Sequence, residues 1–77
     1  MKREFFAVDD YGQGGVWVAI HAESAEAIQQ MYPELHVYSE PPDFLARDVV
    51  DRVRAKRSFD LDDPPSGYLV DIIAERS

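Results

Sequence analysis

A chain of 77 residues makes one domain, residues 1–77. At that length only roughly 60% of the unfolded surface is buried, so a dimer or partner contact would add stability. The composition, 45% apolar and 30% charged, is globular rather than disordered, and the lack of cysteine excludes disulfides, thiolate metal sites and a cysteine nucleophile. The net charge of −7 disfavours nonspecific nucleic-acid binding and anionic membranes, and suits a basic partner.

The N-terminus carries Lys2 and Arg3 but no apolar signal region behind them, and the longest apolar run, Val16 to Ile20, is too short to span a bilayer. A cytoplasmic protein with no membrane contact is expected. Charge is unevenly placed. Glu4 to Ala46 holds eight acidic residues and no Lys or Arg. Arg47 to Arg57 holds five basic residues against two acidic ones, and Ser58 to Ser77 returns to five acidic and one basic.

The apolar runs Phe5-Phe6-Ala7-Val8 and Val16-Trp17-Val18-Ala19-Ile20 flank a glycine-rich stretch and predict a β-hairpin over Arg3 to His21. A two-residue loop would pair Phe5 with Ile20 and mix Asp9 among Val16, Val18 and Ile20. A three-residue loop, Gly12-Gln13-Gly14, would pair Phe6 with Ile20 and Val8 with Val18. It gathers Phe6, Val8, Val16, Val18 and Ile20 on one face, and leaves Phe5, Ala7, Trp17, Ala19 and His21 on the other. Register follows the burial pattern, so the second is preferred, with Gly14 or Gly15 at positive φ.

Ser24 is placed to cap a helix carrying Ala25, Ile28, Met31 and Tyr32 on one stripe, which Pro33 stops. Leu35 to Tyr38 predicts a third strand with Leu35 and Val37 facing in. After the Pro41-Pro42 break, Asp43 is placed to cap a second helix with the stripe Leu45, Val49, Val50 and Val53. Its i,i+4 pairs, Arg47 with Asp51 and Asp48 with Arg52, contribute about 0.3 kcal/mol each. Arg52, Arg54, Lys56 and Arg57 gather at its negative dipole end. Ser58 to Pro65 reads as an extended acidic loop. Ser66 is placed to cap a last helix with Tyr68, Leu69, Ile72 and Ile73 on one side. The expectation is an α+β fold, ββαβαα. A right-handed crossover from strand two gives a three-stranded, mostly antiparallel sheet of order 2-1-3, packed by helices.

Chemistry-bearing patterns are sparse. Gly12-Gln13-Gly14-Gly15 lacks the Lys and following helix of a phosphate loop, and Asp9 and Asp10 would repel an anion. Asp60-Leu61-Asp62-Asp63 lacks the glycine and closing Glu of a calcium loop. His21 and His36, with Glu23, would make an incomplete zinc set. None of the five serines sits in a nucleophile elbow. No catalytic residue, metal or cofactor is therefore expected. Phe5, Trp17, His21, His36 and Tyr38 resemble a base-stacking platform, but no cations surround them, and the last helix is expected to cover that face.

The leading expectation is a non-enzymatic interaction protein, such as a regulator, antitoxin or immunity-type inhibitor. It would bind a basic protein surface through Phe59, Asp60, Leu61, Asp62 and Asp63. The alternative is a nucleic-acid module using Arg47, Arg52, Arg54, Lys56 and Arg57. A small enzyme or metal protein comes third.

Overall fold

The computed structural model describes residues 1–10 and 15–75. The elements are β1 (Arg3–Asp10), β2 (Gly15–Ala22), α1 (Ala25–Met31), β3 (His36–Tyr38), α2 (Arg47–Lys56), β4 (Ser58–Asp60) and α3 (Tyr68–Ala74). They form a small α+β fold around one mixed sheet of order β3-β1-β2-β4. β1 is antiparallel to both β2 and β3, and β4 is parallel to β2. The expected 2-1-3 arrangement is thus present, extended by a fourth strand. Among the described residues no helix is long and apolar enough to cross a membrane.

Ser58 to Asp60 is a strand rather than loop. Ala19 donates its N–H to Arg57 O and Leu61 donates to His21 O, both at 2.9 Å. β2 would otherwise carry a row of unpaired backbone groups between apolar side chains. Three residues of Ser58-Phe59-Asp60 suffice to satisfy it, and a run that short leaves no alternation to read in the sequence.

The hairpin register differs from the expected one. Phe5 pairs with Ile20, Phe6 with Ala19, Ala7 with Val18 and Val8 with Trp17. Phe6 and Ile20 therefore lie on opposite faces of the sheet. The Gly12-Gln13-Gly14 turn itself lies outside the described residues. The expected positive φ at Gly14 or Gly15 rests on that turn; Gly67 has a positive φ among the described residues.

The physical reason is that both faces are covered. Phe5, Ala7, Val18, Ile20 and Ala22 share a core with Ile28, Tyr32, Leu35, Leu69 and Ile72, so α1 and α3 roof this face. Phe6 and Ala19 share a second core with Val50 and Val53 under α2. The two crossovers explain the split. From β2 to β3 the chain moves one way across the sheet, and from β3 to β4 it moves back. A right-handed connection in each direction needs opposite faces. With helices on both sides, no face has to collect all the large apolar residues. Asp9, on the α1/α3 side, is accommodated by the Tyr68 hydroxyl, which donates to Asp9 Oδ2 at 2.6 Å.

The helices begin where local chemistry allows. Ser24 caps α1 as expected, its Oγ accepting from Ala27 N at 3.1 Å. Met31 is 45% exposed, so it lies off the expected stripe. Asp43 does not cap α2. Leu45 N donates to Pro42 O in a turn, and the helix starts three residues later with Ala46 at the cap. Ser66 does not cap α3 either; that position belongs to Gly67, at φ 53° and ψ −129°. A Cβ on Gly67 would also sit 3.3 Å from the Phe59 ring. Residues 68–74 are helical, with Leu69 and Ile72 buried and Ile73 38% exposed.

Candidate functional site

The residues of the expected acidic site lie along one edge, and most have structural partners. Phe59 and Leu61 are half-buried against the α1/α3 core, so they anchor the segment. Asp60 accepts from Lys2 Nζ at 2.6 Å, and Asp62 pairs with the same ammonium at 2.7 Å. Asp60 Oδ1 also accepts from Asp62 N at 3.0 Å, which closes the turn. Asp63 N donates to Asp60 O at 3.1 Å, and its side chain is exposed. The hydrogen bond from Lys2, then that from the Asp62 amide, holds the Asp60 carboxyl below the usual carboxylate range. The same contacts with Asp60 and Asp62 raise Lys2. Lys2, fifty-eight residues away in sequence, partly neutralises this acidic turn.

The basic set is carried by α2 and the residue after it. Arg54 turns toward the sheet: its Nε donates to Glu4 Oε1 at 3.0 Å, and its guanidinium lies 5.4 Å above the Phe6 ring centroid. The hydrogen bond with Glu4 raises its already high pKa. Arg47, Arg52, Lys56 and Arg57 are exposed. Arg54 is thus met by Glu4, and Asp60 and Asp62 by Lys2.

The two histidines do not approach one another. His21 stands opposite Glu4 and His36 opposite Val8, four residues or about 13 Å apart along β1 and on opposite sides of it. His21 Nδ1 lies 3.4 Å from Phe59 O. Among the described residues no three His, Cys, Asp or Glu side chains gather where they would hold a metal.

The stacking platform divides with the register. Phe5 is buried on the α1/α3 side. Trp17, His21, His36 and Tyr38 belong to the other face, where the partners of Phe6 and Val8 lie. α3 covers the Phe5 side, not the Trp17 side. α2 is short and roofs the Phe6–Ala19 half. At its margin Trp17, half-buried against that core, meets Tyr38 with the rings tilted at 34° and centroids 5.5 Å apart, and Phe44 meets Trp17 edge-on at 6.0 Å. Tyr38 is 38% exposed and Phe44 73%. Phe44 escapes sequence reasoning, because it falls between a diproline break and a helix; its signal is a large aromatic at a position no periodicity uses. The aromatic cluster borders a groove of about 710 Å³ between α1 and β3, lined in part by Glu26, Gln29, Gln30 and Tyr38.

No family model, no curated protein and no solved structure matches the chain.

Proposed function

We propose that this chain is a non-enzymatic interaction protein that binds a basic protein surface. The observation that carries this reading is the partly exposed Trp17–Tyr38–Phe44 cluster, in which Tyr38 and Phe44 are exposed and Trp17 is half-buried, set in a stretch of chain without a single Lys or Arg. Trp, Tyr and Phe are the residues enriched at interface centres, and Arg is the residue that best stacks on them. A partner rich in arginine would meet aromatic faces on a chain of net charge −7. The acidic turn at Asp60, Asp62 and Asp63 is a second, rim-like contribution, because Lys2 already offsets part of its charge. Its apolar residues, Phe59 and Leu61, support the turn from the core side.

Trp17 is the chain's only tryptophan, so its emission reports on the cluster directly. Titration with poly-L-arginine at low salt should change that emission, with half-saturation moving to higher concentration as salt rises. Phe44→Ser and Tyr38→Ser should weaken the response, and polyglutamate should give none. An unchanged emission would remove the reading. So would retention of DNA or RNA that Arg52→Gln, Lys56→Gln and Arg57→Gln abolish, since that places the working surface on α2.

A further inference from the structure

We infer that the outer edge of β3 accepts an extended basic segment of a partner protein as a fifth strand of the sheet. This rests on the proposed basic-partner reading and specifies how that partner is held.

The backbone alternation fixes which groups face outward. Ala19 N and His21 O bond toward β4, so the odd-numbered residues of β2 face β4 and the even-numbered ones face β1. Through the register Ala7↔Val18 and Phe5↔Ile20, the odd-numbered residues of β1 bond to β2. The even-numbered ones, Phe6 and Val8, then turn to Tyr38 and His36. Val37, between them, directs its N–H and C=O away from β1 into open space. Two residues earlier the edge is already closed: Leu35 N donates to Tyr32 O at 3.1 Å, and Gln29 Nε2 donates to Leu35 O. Val37 is the point where the edge is open, and edges left open are templates for strand addition.

The groove beside this edge has walls of different chemistry. On the α1 side stand Glu26, Gln29 and Gln30. On the other side stand Tyr38 and, behind it, Trp17 and Phe44. Side chains of an added strand alternate between these walls. A residue directly opposite Val37 projects toward Glu26, and its two neighbours project toward the aromatic cluster. The fitting sequence alternates Arg or Lys with apolar residues. Among the described lining residues Glu26 is the one carboxylate, His36 is the one imidazole, and no Lys or Arg lies between Glu4 and Ala46 in the chain. A second copy of this chain fits less well, since it would bring Glu26 against Glu26 and a charge of −7 against −7.

The probe is a capped heptapeptide alternating Arg and Val, titrated into ¹⁵N-labelled protein at low salt. It should shift the Val37 amide resonance and slow its hydrogen exchange by about tenfold or more. With the peptide antiparallel to β3, N-methylation of the arginine amides, which then face β3, should weaken binding on the order of tenfold and N-methylation of the valine amides should not; a parallel peptide reverses the two. Glu26→Gln should weaken it as well. Binding that is indifferent to N-methylation, or that moves Trp17 and Phe44 but not Val37, overturns strand addition while the basic-partner reading stands. Equal binding of a Glu/Val heptapeptide overturns both. A Val37 amide already protected without peptide, in a sample of dimer mass, assigns the edge to a second copy and overturns the choice of occupant. Absence of binding to every heptapeptide overturns strand addition, and the poly-L-arginine titration then judges the broader reading by itself.

Discussion

The Tyr68 hydroxyl donates to Asp9 Oδ2 at 2.6 Å and so ties the first turn of α3 to the far end of β1. Asp9 lies on a largely apolar face, and this bond meets one of its carboxylate oxygens there. Tyr68→Phe keeps the ring and removes the donor. It should lower stability by about 1 kcal/mol, read as a lower urea midpoint at unchanged slope. An unaltered midpoint would show that water serves Asp9 equally well.

Truncations should distinguish the buried core from the exposed edge of the aromatic cluster. Val18→Ala, in the α1/α3 core at 0% exposure, should cost about 1–3 kcal/mol. Phe44→Ala removes a far larger side chain that is 73% exposed, and should change stability by less than about 0.5 kcal/mol. Comparable losses for both would mean that Phe44 is held in the fold rather than offered to a partner. Urea denaturation of the two variants decides it.

Gly67 carries a backbone conformation that L-residues rarely adopt, at φ 53° and ψ −129°, with the Phe59 ring close to where a Cβ would stand. Gly67→Ala should cost about 1–3 kcal/mol. Ser66→Ala, beside it, should be nearly neutral, because the Ser66 side chain does not cap α3. Thermal unfolding of both variants tests the pair. A larger loss for Ser66→Ala would restore the serine cap.

The Lys2 contacts should appear in a titration. Asp60 is held below the ordinary aspartate value of about 3.9 by its hydrogen bonds from Lys2 and the Asp62 amide. A carboxyl depressed in the folded state contributes stability that is present above its unfolded pKa and is lost as pH falls through the folded one. Lys2, raised in the folded state, has the opposite sign: its contribution is present below the unfolded value of about 10.4 and is lost as pH rises through the folded one. The Asp60 carboxyl carbon should therefore titrate below about 3.9 by NMR, and Lys2→Met should move its midpoint upward. A midpoint that ignores Lys2→Met would mean the ion pair is not populated in solution.

Charge changes separate the two surfaces. Asp60→Asn, Asp62→Asn and Asp63→Asn together should slow association with a basic protein and flatten its salt dependence. Arg52→Gln, Lys56→Gln and Arg57→Gln should have the smaller effect. Stopped-flow rates at two salt concentrations give the order, and the reverse order, with DNA or RNA retained, favours α2 as the working surface.

Elements with a local cause could be read from the sequence. Ser24 against Ala27, the Pro33 stop, the apolar spacing of Val49, Val50 and Val53, and the antiparallel neighbours of β1 each depend on residues a few positions apart, or on a general rule of chain handedness. The sequence by itself also determined the acidity of the first forty-six residues and the exclusion of cysteine chemistry. Only the tertiary structure decided the hairpin register, because two apolar faces leave burial unable to choose between Phe6 and Phe5 as the partner of Ile20. It also decided that Ser58-Phe59-Asp60 is a strand, which depends on unpaired groups of β2. The candidate site follows the same division. That Trp17 and Tyr38 share a face was legible, but their exposure depends on how far a ten-residue α2 reaches across the sheet. The open edge at Val37 depends on hydrogen-bond parity passed from β4 through β2 and β1, a relation among residues that no local pattern contains.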